Sequence, residues 1–295
     1  MIRILCTIFA GLLGLAFGSF LNVCLSRWPE SESIVQPRSH CRHCTHTLAW
    51  WENIPLLSWL ALRGRCRNCR ACIGWRYPLV ELAVAVLWAI PVWKLMPELV
   101  DANLPLALIY FELARTACVL IFLWGLVAMA MLDAENLWLP DWITLPGIAL
   151  GFIVFSFSSA LLPSLNGLEW VPFGFLSAAL QSLLAILAAV ALILFIRWIY
   201  WLIRRREGIG LGDAKLMAML AAWLGLPGAL LAFALGVVLG ALVAVILLLM
   251  PTAQNRSEGW AASKLPLGTF LCIGGIVSSL WGQPILAAYL RWTGL

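Results

Sequence analysis

Three aspartates and a cluster of five cysteines are the side chains in this 295-residue chain whose types and spacing could do chemistry. Asp133 and Asp141 bound the segment Met131-Leu-Asp-Ala-Glu-Asn-Leu-Trp-Leu-Pro-Asp141, and Asp213 closes Gly208-Ile-Gly-Leu-Gly-Asp213, two residues before Lys215. All three lie near the ends of apolar runs, and an ionisable group at membrane depth costs about 2.5–3.5 kcal/mol on insertion scales, which makes it a functional candidate. Two carboxylates brought together in a low-dielectric site cannot both ionise, so they share a proton. One can then take a proton from water while the other protonates a scissile carbonyl oxygen, which is aspartic peptidase chemistry. A competing reading makes these residues helix N-caps or loop solubilisers, and for Asp141, directly after Pro140, capping weighs as much as chemistry. A proton relay in a transporter would place Asp133 and Asp213 in the same way. Gly210 and Gly212 are expected to leave room beside Asp213 for another backbone or a substrate strand. The same glycines lack the strand and βαβ setting of a dinucleotide fingerprint.

Cys41-x-x-Cys44 and Cys66-x-x-Cys69 form two chelating pairs 21 residues apart. This spacing reads as a zinc site, and four thiolates suit a closed, structural Zn²⁺ rather than a catalytic one. Cys72, His40, His43 and His46 stand close enough to replace one of the four. A redox CxxC accounts less well for two matched pairs. Cys6, Cys24, Cys118 and Cys272 sit alone in apolar runs, as small hydrophobes do.

The elements that must position these groups are membrane helices. The chain is 63% hydrophobic and 11% charged, with a mean hydropathy of +0.96, against roughly 25% charged residues in a soluble domain. Apolar runs of bilayer length, about 20 residues each, recur throughout, and seventeen Trp suit headgroup interfaces. The expected spans are Ile4–Leu25, Pro78–Met96, Leu106–Leu132, Trp142–Leu162, Phe173–Ile203, a short Ala214–Leu224, a seventh running from the turn Gly225-Leu-Pro-Gly228 to Met250, and Leu267–Leu290. The first could be taken for a signal peptide behind Arg3, but no small-x-small cleavage site follows and Arg27 opens a basic loop, so it is expected to stay as a span.

Eight arginines (Arg27, Arg38, Arg42, Arg63, Arg65, Arg67, Arg70, Arg76) fall between Ser26 and Tyr77, and Arg204, Arg205 and Arg206 follow the fifth span. The positive-inside rule puts both clusters in the cytoplasm, with Arg256 and Lys264 on the same side and Glu98, Asp101 and Glu169 in opposite loops. A re-entrant sixth helix would invert the last two spans. A cytoplasmic loop argues against disulfides, and anionic lipid accounts for its arginines without a nucleic acid. The expected fold is therefore all-α and polytopic, about eight transmembrane helices with a cytoplasmic zinc-binding loop between the first two. Residues 1–25 form the first span, 26–77 the Cys-rich loop and 78–295 the membrane core carrying the aspartates.

Taken together, these residues resemble the type IV prepilin peptidase family. Besides the cysteine pairs and the two aspartate segments, the likeness rests on Gly18-Ser-Phe-Leu-Asn22 with Arg27 and Pro29, Pro55-Leu-Leu-Ser-Trp59, Arg63-Gly-Arg-Cys66, Arg76-Tyr-Pro-Leu-Val-Glu81 and Pro266-Leu-Gly-Thr-Phe270. Arg42 and Cys72 stand where the family often has Pro, and Ile209 where it frequently has Met. The resemblance implies that Asp133 and Asp213 are the catalytic pair of a bacterial inner-membrane enzyme with its active site on the cytoplasmic side. It implies cleavage of prepilin or pseudopilin leaders in type IV pilus or type II secretion systems. It also implies N-methylation of the new N-terminal residue with S-adenosylmethionine. A proton-coupled transporter and a non-catalytic secretion-system scaffold are the alternatives, and neither accounts for all the motifs.

Overall fold

The computed structural model describes residues 1–101, 105–161, 172–205, 210–249 and 266–294. Glu169, Arg206, Gly208, Ile209, Arg256 and Lys264, on which parts of the reading above rest, lie outside the described residues, as do the side chains of Glu98 and Asp101. Every element of regular structure among them is helical. They are α1 (Ile2–Arg27), α2 (Leu57–Ala61), α3 (Arg76–Asp101), α4 (Leu106–Asn136), α5 (Asp141–Leu161), α6 (Pro172–Arg204), α7 (Leu211–Leu249) and α8 (Leu267–Thr293), with one 3₁₀ turn at Trp50–Asn53. Seven of these helices are long and apolar enough to cross a membrane. Large apolar side chains face outward along them, among them Ile4, Ile8 and Phe9 on α1 and Leu176, Leu180 and Leu184 on α6. Contiguous apolar surface of this extent is stable against lipid rather than water. The protein is an all-α, multi-pass membrane protein.

The chain divides into two compact units, Met1–Ala128 and Met129–Leu295. In the first, α1 packs on α3. Helices in lipid gain little from apolar contact alone and associate where small residues let backbones approach. Gly14 and Gly18 of α1 supply that approach: a Cβ on Gly18 would meet Glu81 Cα at 2.6 Å, and one on Gly14 would meet Ala85 Cα at 2.7 Å. Arg27, at the end of α1 and buried, donates to the carbonyls of Ser33 and Pro37 at 2.7 and 2.6 Å. It thereby ties the start of the polar loop to the membrane helix.

In the second unit, α7 packs on α5, α6 and α8. The expected sixth and seventh spans are two arms of this one 39-residue element, separated where Gly225 leaves the helical region (φ 67°, ψ 176°) two residues before Pro227. The neighbours of the arms show that the chain reverses there. Going up the first arm, Gly212 meets Leu139, Trp223 meets Gly151 and Gly225 meets Phe155, so this arm runs beside α5 in the same direction. Along the second arm, Gly228 meets Ser278, Gly274 meets Ala232 and Gly236 meets Phe270, so this arm runs antiparallel to α8. The first arm, residues 211–224, is roughly 21 Å long at 1.5 Å per residue, short of a hydrocarbon core of about 30 Å. Among the described residues, seven long helices thus stand where eight spans were expected. The expected sixth is a short first arm of α7, after which the chain turns back toward the end at which that arm started. Ser278 Oγ donates to the Gly228 carbonyl at 2.8 Å, which satisfies a backbone acceptor beside the break.

Candidate active site and metal centre

Both aspartates sit at helix N-termini of the second unit. α4 ends at Asn136 because Leu137 turns into the left-handed region (φ 52°); three residues later Pro140 leads into α5. Asp133, in the last turn of α4, is buried (6% exposed) and reaches across to the start of α8. The Thr269 N–H donates to Asp133 Oδ2 at 2.7 Å. The Thr269 hydroxyl lies 3.2 Å from the same oxygen and 3.0 Å from the Ala130 carbonyl, so its one proton serves either acceptor. The residue preceding α8, Pro266, offers no side-chain cap, so a carboxylate from another helix fills that role. The N-terminal N–H groups of a helix favour a negative charge there.

Asp213 (9% exposed) lies in the first turn of α7 and turns back to accept the Gly210 N–H on Oδ2 at 3.2 Å. Of the two glycines expected to open space beside it, Gly210 acts as a backbone donor, since a Cβ there would stand an ordinary 3.6 Å from Asp213 Oδ2. Gly212 makes room for Leu139, which a Cβ would crowd at 3.3 Å. Leu139 also abuts Gly268, where a Cβ would lie 3.0 Å from its Cδ1 and 2.9 Å from Asp133 Oδ2. Leu139 therefore bridges the segments that carry the two aspartates. The carboxylates are close enough for the charge of Asp133 to act on Asp213, and the fully buried Cys272 of α8 lies within electrostatic reach of both.

Asp141 is placed differently. Its side chain is 57% exposed and both oxygens receive Lys215 Nζ, at 2.6 and 2.7 Å. It pairs with Lys215, which lies two residues along α7 from Asp213. The sequence reading named neither Thr269 nor Gly268 as a site residue, although the segment Pro266–Phe270 carried the signal.

The first unit holds the cysteine cluster. The sulfurs of Cys41, Cys44, Cys66 and Cys69 all lie within 4.8 Å of one another, with Cys41 to Cys69 at 3.8 Å and Cys44 to Cys66 at 4.0 Å. Four thiolates at about 2.3 Å from a tetrahedral zinc would be about 3.8 Å apart, so the set can hold a metal ion. The two knuckles repeat one fold. Thr45 N–H returns to the Cys41 carbonyl as Arg70 N–H returns to that of Cys66, with Thr45 and Arg70 both left-handed (φ 56° and 59°). Bridges His40–Thr47 and Arg65–Cys72 close the two. Cys72 thus occupies the place of Thr47 in the other knuckle and stays outside the cluster, as do the three histidines. The His46 N–H and the Asn68 side chain draw the Cys44 thiol down to about 6. Cys69, although the Ala71 N–H points at it, is pushed up to about 12 by desolvation and the neighbouring thiols. Four crowded sulfurs cannot all ionise without a cation among them.

Two family models match the chain: the Bacterial Peptidase A24 N-terminal domain over residues 12–95 and the Type IV leader peptidase family over residues 120–245. A Stutzerimonas stutzeri protein named prepilin leader peptidase/N-methyltransferase is 35% identical, with 96% of this chain and 93% of that protein aligned. A Pseudomonas aeruginosa protein of the same name is 35% identical (99% and 94%), and one from Aeromonas hydrophila 34% (95% and 92%). The chain belongs to the type IV leader peptidase family. No solved structure matches it. The first match covers the cysteine knuckles and the second covers both aspartates. Gly268 and Thr269 lie beyond the second match, within the stretch aligned to the relatives.

Proposed function

We propose that this protein removes the leader from prepilins or pseudopilins and then methylates the new N-terminal amine, with Asp133 and Asp213 as the catalytic pair. The observation that carries this is the convergence of two buried carboxylates, from α4 and α7, on one site in a chain whose full-length relatives are prepilin leader peptidase/N-methyltransferases. Backbone N–H groups hold Oδ2 of each aspartate and so fix the orientation of each carboxyl. Water loses a proton to the ionised carboxylate as its oxygen attacks the scissile carbonyl carbon, while the protonated carboxyl gives its proton to the carbonyl oxygen. Collapse of the resulting diol breaks the C–N bond, and a proton passes to the departing nitrogen. That nitrogen becomes the amine to be methylated. S-adenosylmethionine, when bound, supplies an electrophilic methyl group on a sulfonium sulfur.

The site lies in the bacterial inner membrane and opens to the cytoplasm, the side on which the arginines of residues 26–77 stay under the positive-inside rule. Zinc on Cys41, Cys44, Cys66 and Cys69 is structural. Co-expression with a prepilin, followed by the mass of the mature product, tests both activities. Loss of the leader with gain of one CH₂ is the expected result, and an uncleaved prepilin would refute the reading.

A further inference from the structure

The polar loop of the first unit encloses a cavity of about 290 Å³ between the cysteine knuckles and the loop-side ends of α1 and α3. The aspartates do not line it, and peptide hydrolysis makes no use of it. Two of its walls are buried carboxylates, Glu52 after the first knuckle and Glu81 in the second turn of α3, 6% and 7% exposed. Each is locked by a backbone donor: Ala49 N–H reaches Glu52 Oε2 and Leu56 N–H reaches Glu81 Oε2, both at 2.8 Å. Asn22 of α1 lines the same space at 3% exposure. Its Nδ2 donates to the Tyr77 carbonyl at 2.9 Å, and its Oδ1 has no partner among the described residues. A buried acceptor left without a donor costs about 1–3 kcal/mol, so an unpartnered acceptor on a residue of the cavity wall points to a ligand that donates to it. Arg27, Arg42 and Arg67, with the rings of Trp59 and Tyr77, add positive charge and aromatic faces to the lining.

We propose that this cavity binds the methyl donor, S-adenosylmethionine, with Glu52 and Glu81 facing its cationic sulfonium and ammonium groups and Asn22 Oδ1 accepting one of its N–H donors. The assignment rests on the methyltransferase reading above. An anion such as free phosphate would pair with the arginines but also sit beside two desolvated carboxylates, which disfavours it against a zwitterion. The lining suits a zwitterion that carries two positive groups, one carboxylate and a flat purine. The cavity stands at the small end of the range for small-molecule sites, about 300–1,000 Å³. Helices and the metal centre hold the cavity from several sides, so its shape depends on the loop being folded.

The test uses the full-length protein in nanodiscs with radiolabelled S-adenosylmethionine. Photo-crosslinking and peptide mapping on the wild type should put the label on peptides from residues 19–81. Label confined to residues 129–295 would overturn the proposal without any variant. Glu52→Gln and Glu81→Gln keep an acceptor for the backbone donors but lose the charge. Each should weaken S-adenosylmethionine at least about tenfold, and the variant at the sulfonium should leave neutral-sulfur S-adenosylhomocysteine, which keeps the ammonium, nearly unchanged, with metal content as the check on loop folding. Equal loss for the two ligands in both variants, or no loss in either, would remove the carboxylates from the site. A wild type that binds no S-adenosylmethionine, with or without prepilin, would refute the methyl-donor reading itself and the cavity assignment with it.

Discussion

At the level of single residues, the working unit is a carboxylate set against the N-terminus of a helix. Asp133 does this across 136 positions of sequence by meeting the Thr269 N–H, and Asp213 does it within its own first turn. A hydrogen bond to a charged group is worth about 1.5–3 kcal/mol, so residues that hold Asp133 should affect cleavage measurably without abolishing it. Thr269→Ala keeps the backbone N–H and loses the hydroxyl, and should lower leader cleavage about tenfold, whereas Thr269→Ser should restore most of it. Gly268→Ala should be worse than Thr269→Ala, because its Cβ would stand 2.9 Å from Asp133 Oδ2. Steady-state cleavage of a purified prepilin by the three variants checks the order. Asp213 was legible in the sequence because a glycine run precedes it and Lys215 follows. The partner of Asp133 was not, because which backbone N–H caps it depends on where α8 begins in space.

At the level of elements, the metal knuckles and the broken helix α7 carry most of the architecture around the two sites. The knuckles were readable from spacing, since two CxxC pairs leave few ways to build a tetrahedral set. The exclusion of Cys72 was not, because it follows from the repeat that pairs Cys72 with Arg65 as Thr47 pairs with His40. Cys72→Ser should therefore retain full metal content by elemental analysis. The double variant Cys41→Ser, Cys66→Ser should lose metal and methylation while cleavage falls but stays detectable, since the aspartates belong to the other unit. Metal loss in Cys72→Ser, or normal methylation by a metal-free double variant, would contradict this division. The break in α7 was also visible beforehand: Gly225-Leu-Pro-Gly228 combines a residue free to adopt φ 67° with a proline that cannot continue the ladder. Hydropathy reports the length of an apolar run and not its direction, so the expected reversal between the two arms rested on the arginines before them and Arg256 and Lys264 after them.

At the level of the whole molecule, the apolar helices account for why the chemistry is confined to a few polar segments. Charge is scarce, at 11% of residues, and the arginines concentrate in residues 26–77 and 204–206. Cysteine-accessibility labelling in intact cells should find positions 63 and 205 on the cytoplasmic side and position 101 outside. A periplasmic position 63 would reverse the orientation and put the cysteine cluster in an oxidising compartment. The central claim is that hydrolysis belongs to Asp133 and Asp213. The most direct measurement is cleavage of a purified prepilin by Asp133→Asn, Asp213→Asn and Asp141→Asn proteins reconstituted at equal amounts in nanodiscs. An amide cannot exchange a proton with a neighbouring carboxyl, so the first two should show no leader removal, while Asp141→Asn, which loses only an exposed ion pair with Lys215, should keep most of its activity. Substantial cleavage by either Asp133→Asn or Asp213→Asn would contradict the account.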